Sequence, residues 1–200
     1  MNRNSLFQLG SIALVAALAV VFGPSVASAH VGVGPVHDLL HGMEHPLTGL
    51  DHLAAMLAVG IWAAQLGGRS LWVVPLSFVA VMALGGVLGM TGVYLPLVEP
   101  GIVVSLIMLG ILVATATRLP LALSALIVGA FALAHGYAHG AEIPSATSGF
   151  TYAAGFILMT VAIHATGVGF GLLTKRAHAS QLQRLAGAAV AACGLYLIVG

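Results

Sequence analysis

The fold class this sequence predicts is an all-α membrane protein: a bundle of about six transmembrane helices behind a cleavable signal peptide. Three observations predict it. The 200 residues are 60% hydrophobic and only 6% charged, with mean hydropathy +1.10, whereas soluble domains carry about 25% charged residues. Apolar runs follow one another, each near the ~20 residues a helix needs to cross a ~30 Å hydrocarbon core. The basic residues beyond the signal all fall in alternate links between those runs. The length allows one bundle domain and no separate soluble domain, and a net charge of +1 suggests no nucleic-acid partner.

Residues 1–29 read as a secretory signal. Arg3 supplies the positive n-region, Leu6 to Phe22 the apolar region, Gly23-Pro24 its break, and Ala27-Ser28-Ala29 the small-residue cleavage pattern. The alternative is a retained first span, because the apolar run is a little long for a signal. With cleavage, the mature chain begins at His30, outside the cytoplasm. Residues 30–47 form a short leader. His37, His41 and His45 fall at intervals of four and would share one face of a helix. With His30 they suggest a metal-collecting segment; the alternative is a solvated leader.

Residues 48–200 make the transmembrane domain. Its spans run from about Thr48 to Leu66, Ser70 to Met90, Gly101 to Thr117, Leu119 to Ala138, Gly149 to Leu173, and Leu185 to Val199. Gly67-Gly68-Arg69, Arg118 and Lys175 to Arg184 connect spans on one side. Thr91 to Pro100 and His139 to Ser148 connect them on the other. Arg69, Arg118, Lys175, Arg176 and Arg184 then all lie inside, and Asp38, Glu44, Glu99 and Glu142 all lie outside, as the positive-inside rule requires. Both ends of the mature chain are expected outside.

Small residues such as Gly85-Gly86, Gly89, Gly167, Gly169, Gly171 and Ala186 to Ala192 suit close helix packing in lipid. Pro75 and Pro120 lie near span starts, where proline costs little. Trp62 and Trp72 are expected in the inner aromatic belt. The lone Cys193 excludes an intrachain disulfide and reads as a small buried hydrophobe.

Chemistry concentrates in nine histidines. An Asp at the centre of a membrane helix costs roughly 2.5–3.5 kcal/mol on insertion scales, so Asp51 and His52 at the mouth of the first span are expected to have a use. His45, Asp51 and His52 lie at the outer end of that span. His135 and His139, spaced i, i+4 on one helix face, lie at the outer end of the fourth. His164 lies deeper, on the fifth. Imidazole and carboxylate together suit a divalent transition metal, and neutral imidazole suits zinc, copper, nickel and iron. Glu99 and Glu142 border the outer surface and could draw cations in, or act as hydrogen-bond partners of histidine. Met43 and Met56 read as packing, and His178, among basic residues on the inner side, as solvated.

His135-Gly136-Tyr137-Ala138-His139 shares only its histidine spacing with the HExxH zinc-protease pattern; Tyr137 stands where the general-base glutamate would be. No nucleophile elbow or phosphate loop appears, so no organic cofactor is expected and the chain is not read as an enzyme. A histidine-metal intramembrane hydrolase is the third alternative. It would require a water-activating acid, Asp51 or Glu142.

The segment His45-Pro46-Leu47-Thr48-Gly49-Leu50-Asp51-His52, followed by the apolar stretch Leu53 to Gly68, resembles the HupE/UreJ family. Leu95 to Glu99, His135 to Glu142 and Tyr152 to Phe156 continue the resemblance. It spans essentially the whole mature chain. Tyr137 stands where the family often has a third histidine, so a site on this span rests on His135 and His139. The resemblance implies a signal-bearing protein of the bacterial cytoplasmic membrane, linked to hydrogenase or urease systems. It implies a permease for Ni²⁺, with Co²⁺ second; the residues alone leave Zn²⁺ open. The residues predict only a divalent-metal site reached from outside. A metal-holding accessory protein that transports nothing is the second reading. Oligomeric state and energy coupling stay open.

Overall fold

The structure is a computed structural model describing residues 35–143 and 148–199. The expected signal peptide, residues 1–29, and His30 lie outside the described residues. Seven helices make up the fold, with no strand among the described residues: α1 (Pro35–Thr48), α2 (Leu50–Leu66), α3 (Ser70–Met90), α4 (Val98–Thr115), α5 (Leu121–Ala141), α6 (Gly149–Arg176) and α7 (Ser180–Val199). Five of them, α3 to α7, are long and apolar enough to cross a membrane; the count is six if the bent pair His37–Thr48 and Leu50–Leu66 is one span. The expected multi-span all-α fold is therefore observed.

The bend has a local cause. Pro46 has no N–H to give to the helix, and Gly49 takes an extended conformation, φ −89° and ψ 109°. The Thr48 hydroxyl donates to the carbonyl of His45 at 2.8 Å and closes α1. The Gly49 carbonyl accepts the Leu53 N–H at 2.9 Å and opens α2. The two helices meet at 82°. With 17 residues, α2 is only about 26 Å long at 1.5 Å per residue, short of a ~30 Å core. Its first turn carries Asp51 and His52, and α1 bends sharply away from its axis there.

Glycines set the helix pairs. Lipid supplies no hydrophobic force between helices, so close backbone approach matters more than in water. A Cβ on Gly85 or Gly89 would strike α5 backbone at Leu133 or Tyr137, and one on Gly136 or Gly140 would strike α3 at Met82 or Gly86. Gly60 and Gly167 do the same for α2 and α6, Gly110 and Gly187 for α4 and α7, and Gly42 and Gly155 for α1 and α6. The matched positions rise together in α3 with α5 and in α2 with α6, and run opposite ways in α4 with α7. These directions are those of spans that alternate through a membrane. Gly169 differs from expectation: nothing lies within 4 Å of it.

Three further differences follow from packing. The segment bearing His37, His41 and His45 is a helix seated on α6, not a loose tail. Trp62 is fully buried in the core and donates Nε1–H to the Thr117 carbonyl at 2.9 Å, while Trp72 is 53% exposed and fits an aromatic belt. Helices α6 and α7 run past the apolar runs, so Lys175 and Arg176 occupy the last turn of α6, where cations suit the helix dipole. Arg184 lies within α7 and donates to the carbonyls of Ala114 and Thr115 at the end of α4.

A Gly136→Leu variant is expected to lose about 1–3 kcal/mol through overpacking, because the atoms it meets are the Met82 backbone. Gly169→Ala should stay within about 0.5 kcal/mol of wild type. Thermal unfolding of the two purified variants in one detergent checks both; equal midpoints would refute the proposed α3–α5 contact.

Candidate metal centre

Helix α5 carries the centre of the site. Gly136 and Gly140 face the α3 backbone, so His135 and His139, each one residue earlier and about 100° round the helix, look along another face. There they meet the first turn of α2 and the last turn of α1. The ring centroids of His52 and His135 are 4.7 Å apart, of His52 and His139 4.1 Å, and of His45 and His139 4.7 Å. Glu142, at the end of α5, brings Oε2 to 3.5 Å from His45 Nε2. One donor atom each from His45, His139 and Glu142 lies within 4.8 Å of the others. Two imidazole nitrogens on opposite sides of an ion at ~2.1 Å would be about 4 Å apart, so small side-chain adjustments suffice.

The second partners of these rings matter as much. Asp51 Oδ1 accepts from both the backbone N–H and Nδ1–H of His52, each at 2.8 Å. A carboxylate there can only accept, so His52 is held as the Nδ1–H tautomer and keeps its Nε2 lone pair. Asp51 was expected as a ligand; in the structure its Oδ1 contacts His52. His135 is fully buried, with Nε2 at 2.8 Å from the Ser105 hydroxyl of α4. Among the described residues, six buried ring nitrogens have no hydrogen-bond partner: His52 Nε2, His135 Nδ1, and both nitrogens of His139 and of His164. Buried polar atoms are almost always paired, and a cluster of unpaired imidazole nitrogens is what a cation-binding centre would present.

The remaining expected residues divide. His164, 2% exposed, lies beyond Phe78, whose ring centroid is 5.7 Å from His135 and 5.1 Å from His164. His41 is exposed with its ring edge on Tyr152 at 5.6 Å, and His37 is exposed one turn earlier. Glu99 is exposed in the first turn of α4 and has no ion pair among the described residues. Tyr137 turns away from the cluster and donates to the Val93 carbonyl at 2.8 Å, fastening the α3–α4 loop. His178 is exposed, as expected, and Met56 is buried in the core.

Sequence reasoning did not name Ser105 or Phe78, and gave Glu142, which lies beside His45 and His139, an auxiliary place. Ser105 had a signal: it is a hydroxyl inside the apolar run Ile102 to Leu112. Phe78 had none, since an aromatic on an apolar span looks like any core residue.

A cavity of about 340 Å³ at the basic end is lined by Gln65, Arg118, Lys175, Ser180, Gln183 and Arg184 among others. It offers no imidazole or carboxylate, so nothing there suits a divalent cation. The cluster of His45, His52, His135 and His139 lies at the opposite end, with the acids.

Apolar helices in a close bundle, with imidazoles and a carboxylate converging at one end, define a multi-pass membrane protein with a candidate transition-metal site. A match to the HupE / UreJ protein family covers residues 17–197, and the chain belongs to that family. It is similar to Protein HupE of Rhizobium leguminosarum bv. viciae, 45% identical over 183 residues that make up 92% of this chain and 95% of that one. No solved structure matches the chain.

Removing the carboxylate that orients His52, in Asp51→Ala, is expected to weaken Ni²⁺ binding ~10–100-fold, the usual cost of losing such a partner. A Cβ on Gly49 would lie 2.9 Å from Asp51 Oδ1 and 3.1 Å from His52 Nδ1, so Gly49→Ala should act in the same direction by less. Calorimetric titration of the purified variants measures both. Wild-type affinity in Asp51→Ala would remove the Asp51–His52 pair from the site.

Proposed function

We propose that this protein is a permease that carries a divalent transition metal, Ni²⁺ first and Co²⁺ second, from the outer face of a bacterial cytoplasmic membrane toward nickel-enzyme maturation. The observation that carries the reading is the chain of rings His45–His139–His52–His135 with buried, unpartnered nitrogens. Family membership supports nickel as cargo and hydrogenase or urease as its destination. The segregation of charge supports the orientation: Arg69, Arg118, Lys175, Arg176 and Arg184 at one end, and Asp38, Glu44, Asp51, Glu99 and Glu142 at the other. The basic end faces the cytoplasm, and both chain ends lie outside.

The ion moves by ligand exchange. Exposed Glu142 and half-buried His45 take it from water together with His139. His139 touches both groups of rings and hands it inward to His52 and His135. Each step must hold the ion well enough to strip its water and weakly enough to release it. Below His135 the Phe78 ring closes the way to His164, so transfer to the deeper histidine requires that ring to move. His37 and His41, on the exposed face of α1, gather cations near the mouth.

The protein acts as a carrier and not as an enzyme. Asp51 is engaged by His52, and Glu142, beside His45 and His139, sits at the exposed rim, an arrangement that suits ion capture. A non-transporting accessory protein is favoured by one observation, the closure at Phe78, because a closed bundle suits holding a metal as well as moving it.

Uptake of ⁶³Ni²⁺ by cells with matched membrane levels of wild type and His139→Ala separates these readings. Transport predicts uptake in wild type and a loss of ~10-fold or more in the variant. Nickel binding by purified wild type without uptake would overturn the permease and leave the accessory protein. Coordination needs neutral imidazole, so protons compete with metal. Nickel affinity should therefore fall on acidification and, because burial opposes protonation of an imidazole, below the ~6.5 of free histidine; pH-resolved calorimetry reads this as protons taken up per ion released. Release of nickel by acid with no proton uptake would exclude a histidine site.

A further inference from the structure

We infer that Ser105 is the positioning residue of the inner half of this site: its hydroxyl accepts Nε2–H from His135 and so leaves the Nδ1 lone pair of that ring for the metal. The inference rests on the reading of the cluster as metal-binding. Ser105 is fully buried in α4 and far from His135 in sequence. Its oxygen has two neighbours, the Ile102 carbonyl at 2.6 Å and His135 Nε2 at 2.8 Å.

A serine hydroxyl has one proton to donate and lone pairs with which to accept. The carbonyl cannot donate. Two oxygens 2.6 Å apart with no proton between them would repel, so the hydroxyl proton lies toward Ile102. The imidazole must then be the donor in the other contact, and His135 carries its proton on Nε2. In the neutral ring the remaining nitrogen, Nδ1, is an acceptor. Nδ1 is buried and has no hydrogen-bond partner among the described residues.

The neighbouring ring is set the opposite way. Asp51 takes Nδ1–H from His52 and frees Nε2. Two adjacent histidines thus have opposite tautomers, each imposed by an acceptor on its far side, and each leaves one lone pair. Without the Ser105 oxygen, the His135 proton could move to Nδ1, and an N–H would then point where a cation must bind. A neutral hydroxyl also does this without placing a second buried carboxylate in the bundle, where an ionised acid would be costly.

The test uses the full chain, ¹⁵N-labelled at histidine, purified in lipid nanodiscs without metal. Long-range ¹H–¹⁵N spectra report the tautomer of His135, assigned by the signals lost in His135→Gln. The expected result is Nε2–H in wild type, a mixed or Nδ1–H ring in Ser105→Ala with nickel affinity ~10-fold or more weaker, and recovery of both in Ser105→Thr. A His135 that is Nδ1–H in wild type, or a Ser105→Ala variant with unchanged tautomer and affinity, would overturn the inference. Should Ser105→Ala fail to accumulate, the wild-type tautomer and Ser105→Thr decide the matter. The spectra and the binding assay need no transport, so absence of nickel uptake in wild type would count against the permease alone, whereas absence of nickel binding in wild type would overturn the metal-site reading and with it the role given to Ser105.

Discussion

Helix α5 lies against the backbone of α3 because Gly136 and Gly140 have no side chain to hold it off. That contact decides which way the rest of α5 faces. His135 and His139, one residue earlier on the helix, point at the start of α2 and the end of α1, where they meet His52 and His45, with His135 also against Phe78 of α3. The same device, repeated at Gly60 and Gly167 and at Gly42 and Gly155, sets α2 and α1 on α6. The histidine cluster is the common product of these backbone approaches. In a bilayer, where apolar side chains gain little by leaving lipid, close van der Waals contact is the force available to build such a site.

Packing places the rings, and hydrogen bonds decide what they present. An imidazole buried in an apolar bundle offers a metal its lone pair only in the right tautomer. Asp51 selects it for His52, and the short Ser105 contacts select it for His135. His139 has neither kind of partner, and it sits between the two pairs it would serve. An exchange ligand should be less tightly fixed than the ligands on either side of it, which suits this position.

The break between α1 and α2 joins the cluster to its surroundings. A straight helix through Pro46 and Gly49 would carry His45 up and away from α5. The 82° turn lays α1 over the site instead, with His45 beside His139 and Glu142. Asp38 Oδ2 accepts the Ser148 N–H at 2.9 Å, tying the start of α1 to the start of α6 and holding this cover in place. The acid thus serves as a structural tether rather than as a free surface charge.

Several features were legible in the chain itself. Apolar runs with few charges cannot remain in water, and an unpaired backbone cannot remain in lipid, so helices of spanning length follow from composition alone. Arg69, Arg118 and Lys175 mark one end of the bundle by the same logic, and the His135–His139 spacing puts both rings on one face. That His45 and His52 would meet them was readable only as a shared side and depth. Tertiary structure decided the rest. Asp51 proved to be a partner of His52, Glu142 a donor beside His45, Trp62 a core residue, and Ser105 and Phe78 neighbours of His135. Each of these roles depends on which face of a helix meets another. Spans that are apolar all round have no amphipathic pattern to announce that face; glycine contacts distributed over the whole fold determine it.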